Sequence, residues 1–149
     1  MRIVICGAGI VGSAIATHLA AEQNDVTVID DDEEKVQRIA EHADLSAIVG
    51  LASHPDVLER AGLDQAELII AVTESDEVNM VACQMAHSLF KTPTKIARIR
   101  SNAYLRSDIK SKFFTTENMP IDFIISPEQE VASAVSRQIR LPGAFDVKE

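Results

Sequence analysis

Residues 3–12 read Ile3-Val4-Ile5-Cys6-Gly7-Ala8-Gly9-Ile10-Val11-Gly12, an apolar run that leads into three glycines within six residues. A second apolar run, Val26-Thr27-Val28-Ile29, ends on Asp30, eighteen residues after Gly12. The order is strand, glycine turn, helix, strand and acid, which is that of a dinucleotide-binding βαβ unit. Each part has a mechanical task. Gly7 permits the tight turn, Gly9 lets backbone approach a pyrophosphate, and Gly12 lets the helix pack close to the strand. Phosphates are then expected on the unpaired N–H groups at the helix start, over Ile10 and Val11, where the helix dipole favours negative charge. The Asp30 carboxylate is expected to accept hydrogen bonds from both hydroxyls of an adenosine ribose. Asp31 and Asp32 read as solvated acids opening the next helix. The three carboxylates together disfavour a 2′-phosphate, and so NADP relative to NAD.

On the far side of this unit, strand-like and helix-like apolar patterns alternate. Helices are expected over 10–23 with Val11, Ile15, Leu19 and Ala20 inward, over 32–41 with Val36, Ile39 and Ala40 inward, and around 55–61. Further strands are expected at 25–30, 46–49, 67–72, 95–99 and 122–125. Between the fourth and fifth strands, Val78, Val81, Ala82, Met85 and Leu89 recur at helical spacing. Residues 100–119 are polar and read as loops and helical turns. A last helix is expected from the Ser126 cap and Pro127 to Ile139, stopping before Pro142-Gly143. Six strands linked by helices specify an α/β fold, a doubly wound parallel sheet (Rossmann fold) in order 3-2-1-4-5-6. Its ligand crevice falls at the C-terminal edge, between strands one and four. Gly7 to Gly12, Asp30, Leu51 to Ser53, Val72 to Asp76 and Arg98 to Arg100 are expected to line it.

Composition narrows the partners. With 149 residues, 46% hydrophobic and 25% charged, the chain is one globular domain with a substantial core. A net charge of −9 argues against nucleic acid, whose binding depends on neutralising phosphates. No run of eighteen apolar residues is present, and no basic segment precedes a cleavable apolar stretch, so a cytoplasmic protein without membrane insertion is expected. Cys6 and Cys83 read as buried small apolar groups, and the four histidines lack metal-ligand spacing. No metal site is expected.

Past the fourth strand, Ser75 and Asp76 read as helix-capping residues, while Thr73 and Glu74 stand a step earlier, within reach of a ribose. Asn79 fits either purpose. Arg98 and Arg100 point to one side of the fifth strand, either as solvated charges or as bidentate contacts for an anion. From Lys95 to Lys112 six basic residues accompany a single acid, Asp108, an asymmetry that fits a polyphosphate ligand. Catalytic apparatus is not evident. Tyr104 is followed four residues on by Asp108 rather than Lys, and neither a serine nucleophile elbow nor a GxxxxGK[ST] loop occurs. A Rossmann unit without a substrate site points to sensing.

Several segments together resemble the RCK/KTN family of regulatory nucleotide-binding domains. They are Gly7 to Gly12, Val28 to Asp32, Gly50 with Ser53 to Leu58, Ala61-Gly62, Ala71 to Met80, Ile96 to Arg100, and Ile125 to Glu128. The resemblance implies a peripheral cytoplasmic subunit that controls a membrane potassium transporter and forms a homo-oligomer. It implies NAD(H) as ligand, with ATP or ADP in the same cleft. Carried over by motif, Gly7, Ala8, Gly9, Ile10 and Val11 hold the pyrophosphate, Asp30 the adenosine ribose, Thr73 and Glu74 line the cleft, and Arg98 meets a ribose or phosphate. Leu51 departs from the family pattern, which often has a small or acidic residue there. The expected division is a nucleotide-binding domain over 1–141 and, over 142–149, the start of a linker to a further C-terminal lobe. Two alternatives remain at this level: an NAD-dependent oxidoreductase fragment without its substrate domain, and a regulatory domain of a cation/proton antiporter.

Overall fold

Apolar runs that are hydrophobic at nearly every position belong in the middle of a parallel sheet, covered by helices on both faces. In the computed structural model, which describes residues 1–125, the strands are β1 (Arg2–Cys6), β2 (Asp25–Asp30), β3 (Ser46–Val49), β4 (Leu68–Ala71), β5 (Thr94–Arg98) and β6 (Phe123–Ile125). All pair in parallel, in the order β3-β2-β1-β4-β5-β6. The doubly wound sheet read from the sequence is the one observed. Alternation along β1 divides the core: Ile3 and Ile5 face α1 (Ile10–Ala21) and α2 (Glu33–His42). Val4 and Cys6 face α3 (Pro55–Arg60) and α4 (Asp76–Met85) on the other side. Both cysteines are buried and unpaired with each other, and burial pushes the Cys6 thiol up to about 12. Burial also raises Cys83.

Helix starts follow their caps. Asp32 Oδ1 accepts from the Glu34 N–H at 2.9 Å, and Ser75 Oγ from the Val78 N–H at 3.1 Å. Residues 100–119 contain the short helices α5 (Asn102–Leu105) and α6 (Ser107–Phe113). No helix among the described residues is long and apolar enough to cross a membrane.

Three apolar expectations fail. Ala40 is exposed, and the buried stripe of α2 is confined to Val36 and Ile39. On α4 the buried residues are Asp76, Asn79, Met80, Ala82 and Cys83, while Val81 is 38% exposed. The helix is rotated because Asn79 is drawn inward by hydrogen bonds to Thr73 and Arg98. Leu89 is 58% exposed because α4 continues as a π-helical turn, Ala86–Phe90. Its wider winding breaks the 3.6-residue spacing. The last helix, Pro127 to Ile139, and the division at 141 lie outside the described residues.

Candidate functional site

The carboxyl edges of β1 and β4 part as the chain leaves the sheet on opposite faces, and a cavity of about 420 Å³ opens there. Gly7, Gly9, Ile10, Val11, Asp30, Thr73, Glu74 and Arg98 all line it. Ala8 and Gly12 are buried and do not line it. Of the flanking segments, Leu51, Ala52, Val72, Ser75 and Arg100 line it too. Ser53 does not. Nor does Asp76, whose two carboxylate oxygens accept from the Arg100 and Ser101 N–H groups, each at 2.9 Å.

The glycine turn is held by its surroundings. Gly7 has φ +112°, and an added Cβ would lie 2.9 Å from the Val72 carbonyl oxygen. A Cβ at Gly12 would fall onto the Gly7 carbonyl oxygen. Around Gly9 no atom lies within 4 Å of such a Cβ, so this position faces open space in the cavity. Gly9 is also the N-cap of α1, and no side chain caps that helix, unlike α2 and α4. The first-turn N–H groups of α1 lack intrahelical partners, and Gly9, Ile10 and Val11 at that turn line the cavity. These features fit a phosphate group, which needs donors, the positive end of a helix, and room.

Asp30 has two tasks. Its Oδ2 accepts from the Ala8 N–H at 2.7 Å and its Oδ1 from the Asp32 N–H at 2.8 Å. A carboxylate offers about four acceptor sites, so each oxygen keeps capacity for a ribose hydroxyl. The anchoring of the turn by Asp30 was not evident from the motif alone.

Arg98 is 4% exposed, and its Nη2 donates to the carbonyls of Val72 (3.2 Å) and Thr73 (2.8 Å). It ties β5 to the loop after β4 as well as lining the cavity. Arg98→Ala is thus expected to destabilise the fold by about 1–3 kcal/mol, since it strips the partner from the buried Val72 carbonyl and one of two from that of Thr73. Exposed Lys112→Ala is expected to change stability by less than about 0.5 kcal/mol. Urea denaturation of both variants measures the contrast.

Lys35, in the first turn of α2, also lines the cavity beside Asp30 and Asp31. Its position one turn past the strand-end acid was the available signal, and it was missed. Outside the cavity lining, Tyr104 Oη donates to Glu77 Oε2 at 2.7 Å, which holds the Glu77 carboxyl below its ordinary range.

Residues 3–127 match the TrkA-N domain family. The chain belongs to this family. Over 146 residues the TrkA-N chain is 53% identical to the Trk system potassium uptake protein TrkA of Azorhizobium caulinodans, covering 98% of this chain and 32% of that protein. The chain thus spans about a third of the length of the curated relatives it matches. Among solved structures it is similar to the TrkA-N domain of the inner membrane protein YbaL from Escherichia coli, with TM-score 0.71 and 19% identity over 93% of this chain and 96% of that one. The GsuK channel bound to NAD gives TM-score 0.66 and 18% identity, over 83% of this chain and 21% of that one. At these identities the two structures establish the shared fold alone.

Proposed function

We propose that this TrkA-N chain is a nucleotide-responsive regulatory domain of a potassium uptake system, acting by binding rather than by catalysis. The observation that carries this reading is the uncapped start of α1, set between a strand-end carboxylate and the loops after β4 and β5. NAD(H) is the ligand this arrangement suits. Its pyrophosphate meets the N–H groups after Gly9, its adenosine ribose meets Asp30, and Glu74 stands on the side of the second nucleoside. ATP or ADP uses the same glycine turn and competes. Asp30 and Asp31, both lining the cavity, set a 2′-phosphate against like charge.

The output follows from linkage. A ligand shifts a conformational equilibrium only as far as its affinities for the two states differ. In this reading the domain assembles as a homo-oligomer on the cytoplasmic side of a membrane potassium transporter, and NADH and ATP favour different arrangements.

Titration calorimetry is expected to show NAD(H) binding at least tenfold tighter than NADP(H), a difference of about 1.4 kcal/mol. Exchanging saturating NADH for ATP is expected to change potassium flux through the reconstituted transporter, with neither nucleotide consumed. Steady conversion of either nucleotide, or flux indifferent to both, would falsify the regulatory reading.

A further inference from the structure

We propose that Asn79, buried inside α4, is the positioning residue for the second half of the nucleotide site and acts through Thr73. This rests on the reading of the crevice as an NAD(H) site. Asn79 is fully buried, and its amide makes four hydrogen bonds. Its Oδ1 accepts from the Thr73 N–H (2.9 Å) and the Thr73 hydroxyl (2.7 Å). Its Nδ2 donates to the Thr73 carbonyl (3.1 Å) and the Arg98 carbonyl (2.8 Å). Two donors and two acceptor sites are all that a carboxamide has. A flipped amide would set its oxygen against two carbonyls and its nitrogen against an N–H, so one orientation is fixed.

The consequence lies one residue further on. Thr73 gives its N–H, carbonyl and hydroxyl to Asn79, and its hydroxyl oxygen also accepts from the Ser75 N–H at 3.2 Å. Its polar atoms are thus committed to partners within the protein. Glu74 is left projecting: it is exposed, lines the cavity, and has no hydrogen bond or ion pair among the described residues. Its place on the rim is dictated by the clasp beneath it. Asp30 and the clasp flank β1 from opposite sides, on β2 and beyond β4. A dinucleotide spans both halves of such a crevice, whereas AMP needs only the Asp30 side and the glycine turn.

The affinity ratio of NADH to AMP therefore reads the role. Asn79→Ala and the isosteric Asn79→Asp, which cannot donate to the two carbonyls, are expected to weaken NADH at least tenfold and AMP less than twofold. Thr73→Val is expected to shift the ratio in the same direction, and adding it to Asn79→Ala is expected to cost little more. Should the Asn79 variants fail to fold, the ratio in Thr73→Val decides. An unchanged ratio, or equal losses for both ligands, would overturn the inference while leaving the NAD(H) reading intact. A wild-type chain that binds neither nucleotide would overturn both.

Discussion

Gly12→Ala is expected to prevent stable folding, while Gly9→Ala, three residues away, is expected to fold normally and lose nucleotide binding. At Gly12 the new methyl group would occupy the space of the Gly7 carbonyl oxygen, and its nearest neighbours are backbone atoms of the turn. Backbone cannot rotate aside as a side chain does. Relief would require α1 to withdraw from β1, opening the layer that buries Ile15, Ala16 and Leu19 against Ile3 and Ile5. Overpacking a well-packed core typically costs about 1–3 kcal/mol, and a fixed backbone obstacle places this case at or above the upper end. That is a large part of the stability of a domain this size. At Gly9 the backbone has φ −76°, open to any residue, and the methyl group meets nothing within 4 Å. Loss of glycine at the N-cap and loss of glycine's freedom in the unfolded chain offset each other to within about 1 kcal/mol. The methyl group does, however, stand where a phosphate must approach backbone. Thermal melting and calorimetry with NADH separate the two variants: Gly12→Ala fails the first, and Gly9→Ala passes the first and fails the second by at least tenfold.

That contrast shows what the sequence could reveal and what it could not. The strands were legible because runs such as Ile3-Val4-Ile5 and Leu68-Ile69-Ile70 are apolar on both faces, which only the interior of a parallel sheet accommodates. The site's outline was legible because doubly wound topology fixes where strand ends converge. Side-chain commitments were not legible. Whether Arg98 faces a ligand or a carbonyl depends on how the chain returns after β4, and periodicity carries no information about that. The rotation of α4 had the same origin: Asn79, polar and buried, outweighed Val81 in setting the helix face, because an unpaired buried amide costs more than one exposed valine. Lys35 was missed because its residue type, beside five consecutive acids, reads as solvation.

Asp30→Ala is expected to weaken NAD(H) by about 3 kcal/mol or more, roughly a hundredfold, through the loss of two hydrogen bonds to a charged acceptor. The same substitution frees the Ala8 and Asp32 N–H groups, which the carboxylate holds at 2.7 and 2.8 Å, and a drop in stability accompanies the loss of affinity. These two effects have different selectivities. A loosened glycine turn would weaken every nucleotide alike, since all of them place phosphate on α1. Removal of the carboxylate, by contrast, deprives NAD(H) of a ribose partner and relieves NADP(H) of a repulsion. The preference for NAD(H) is therefore expected to collapse to within about threefold, as the remaining Asp31 is exposed and well screened. Asp30→Asn separates the contributions further. Its single carbonyl oxygen can still accept from one of the two N–H groups, so it should retain more stability than alanine while losing the same charge. A variant that melts early yet keeps a tenfold preference for NAD(H) would assign Asp30 to the architecture of the turn alone and move discrimination to its neighbours.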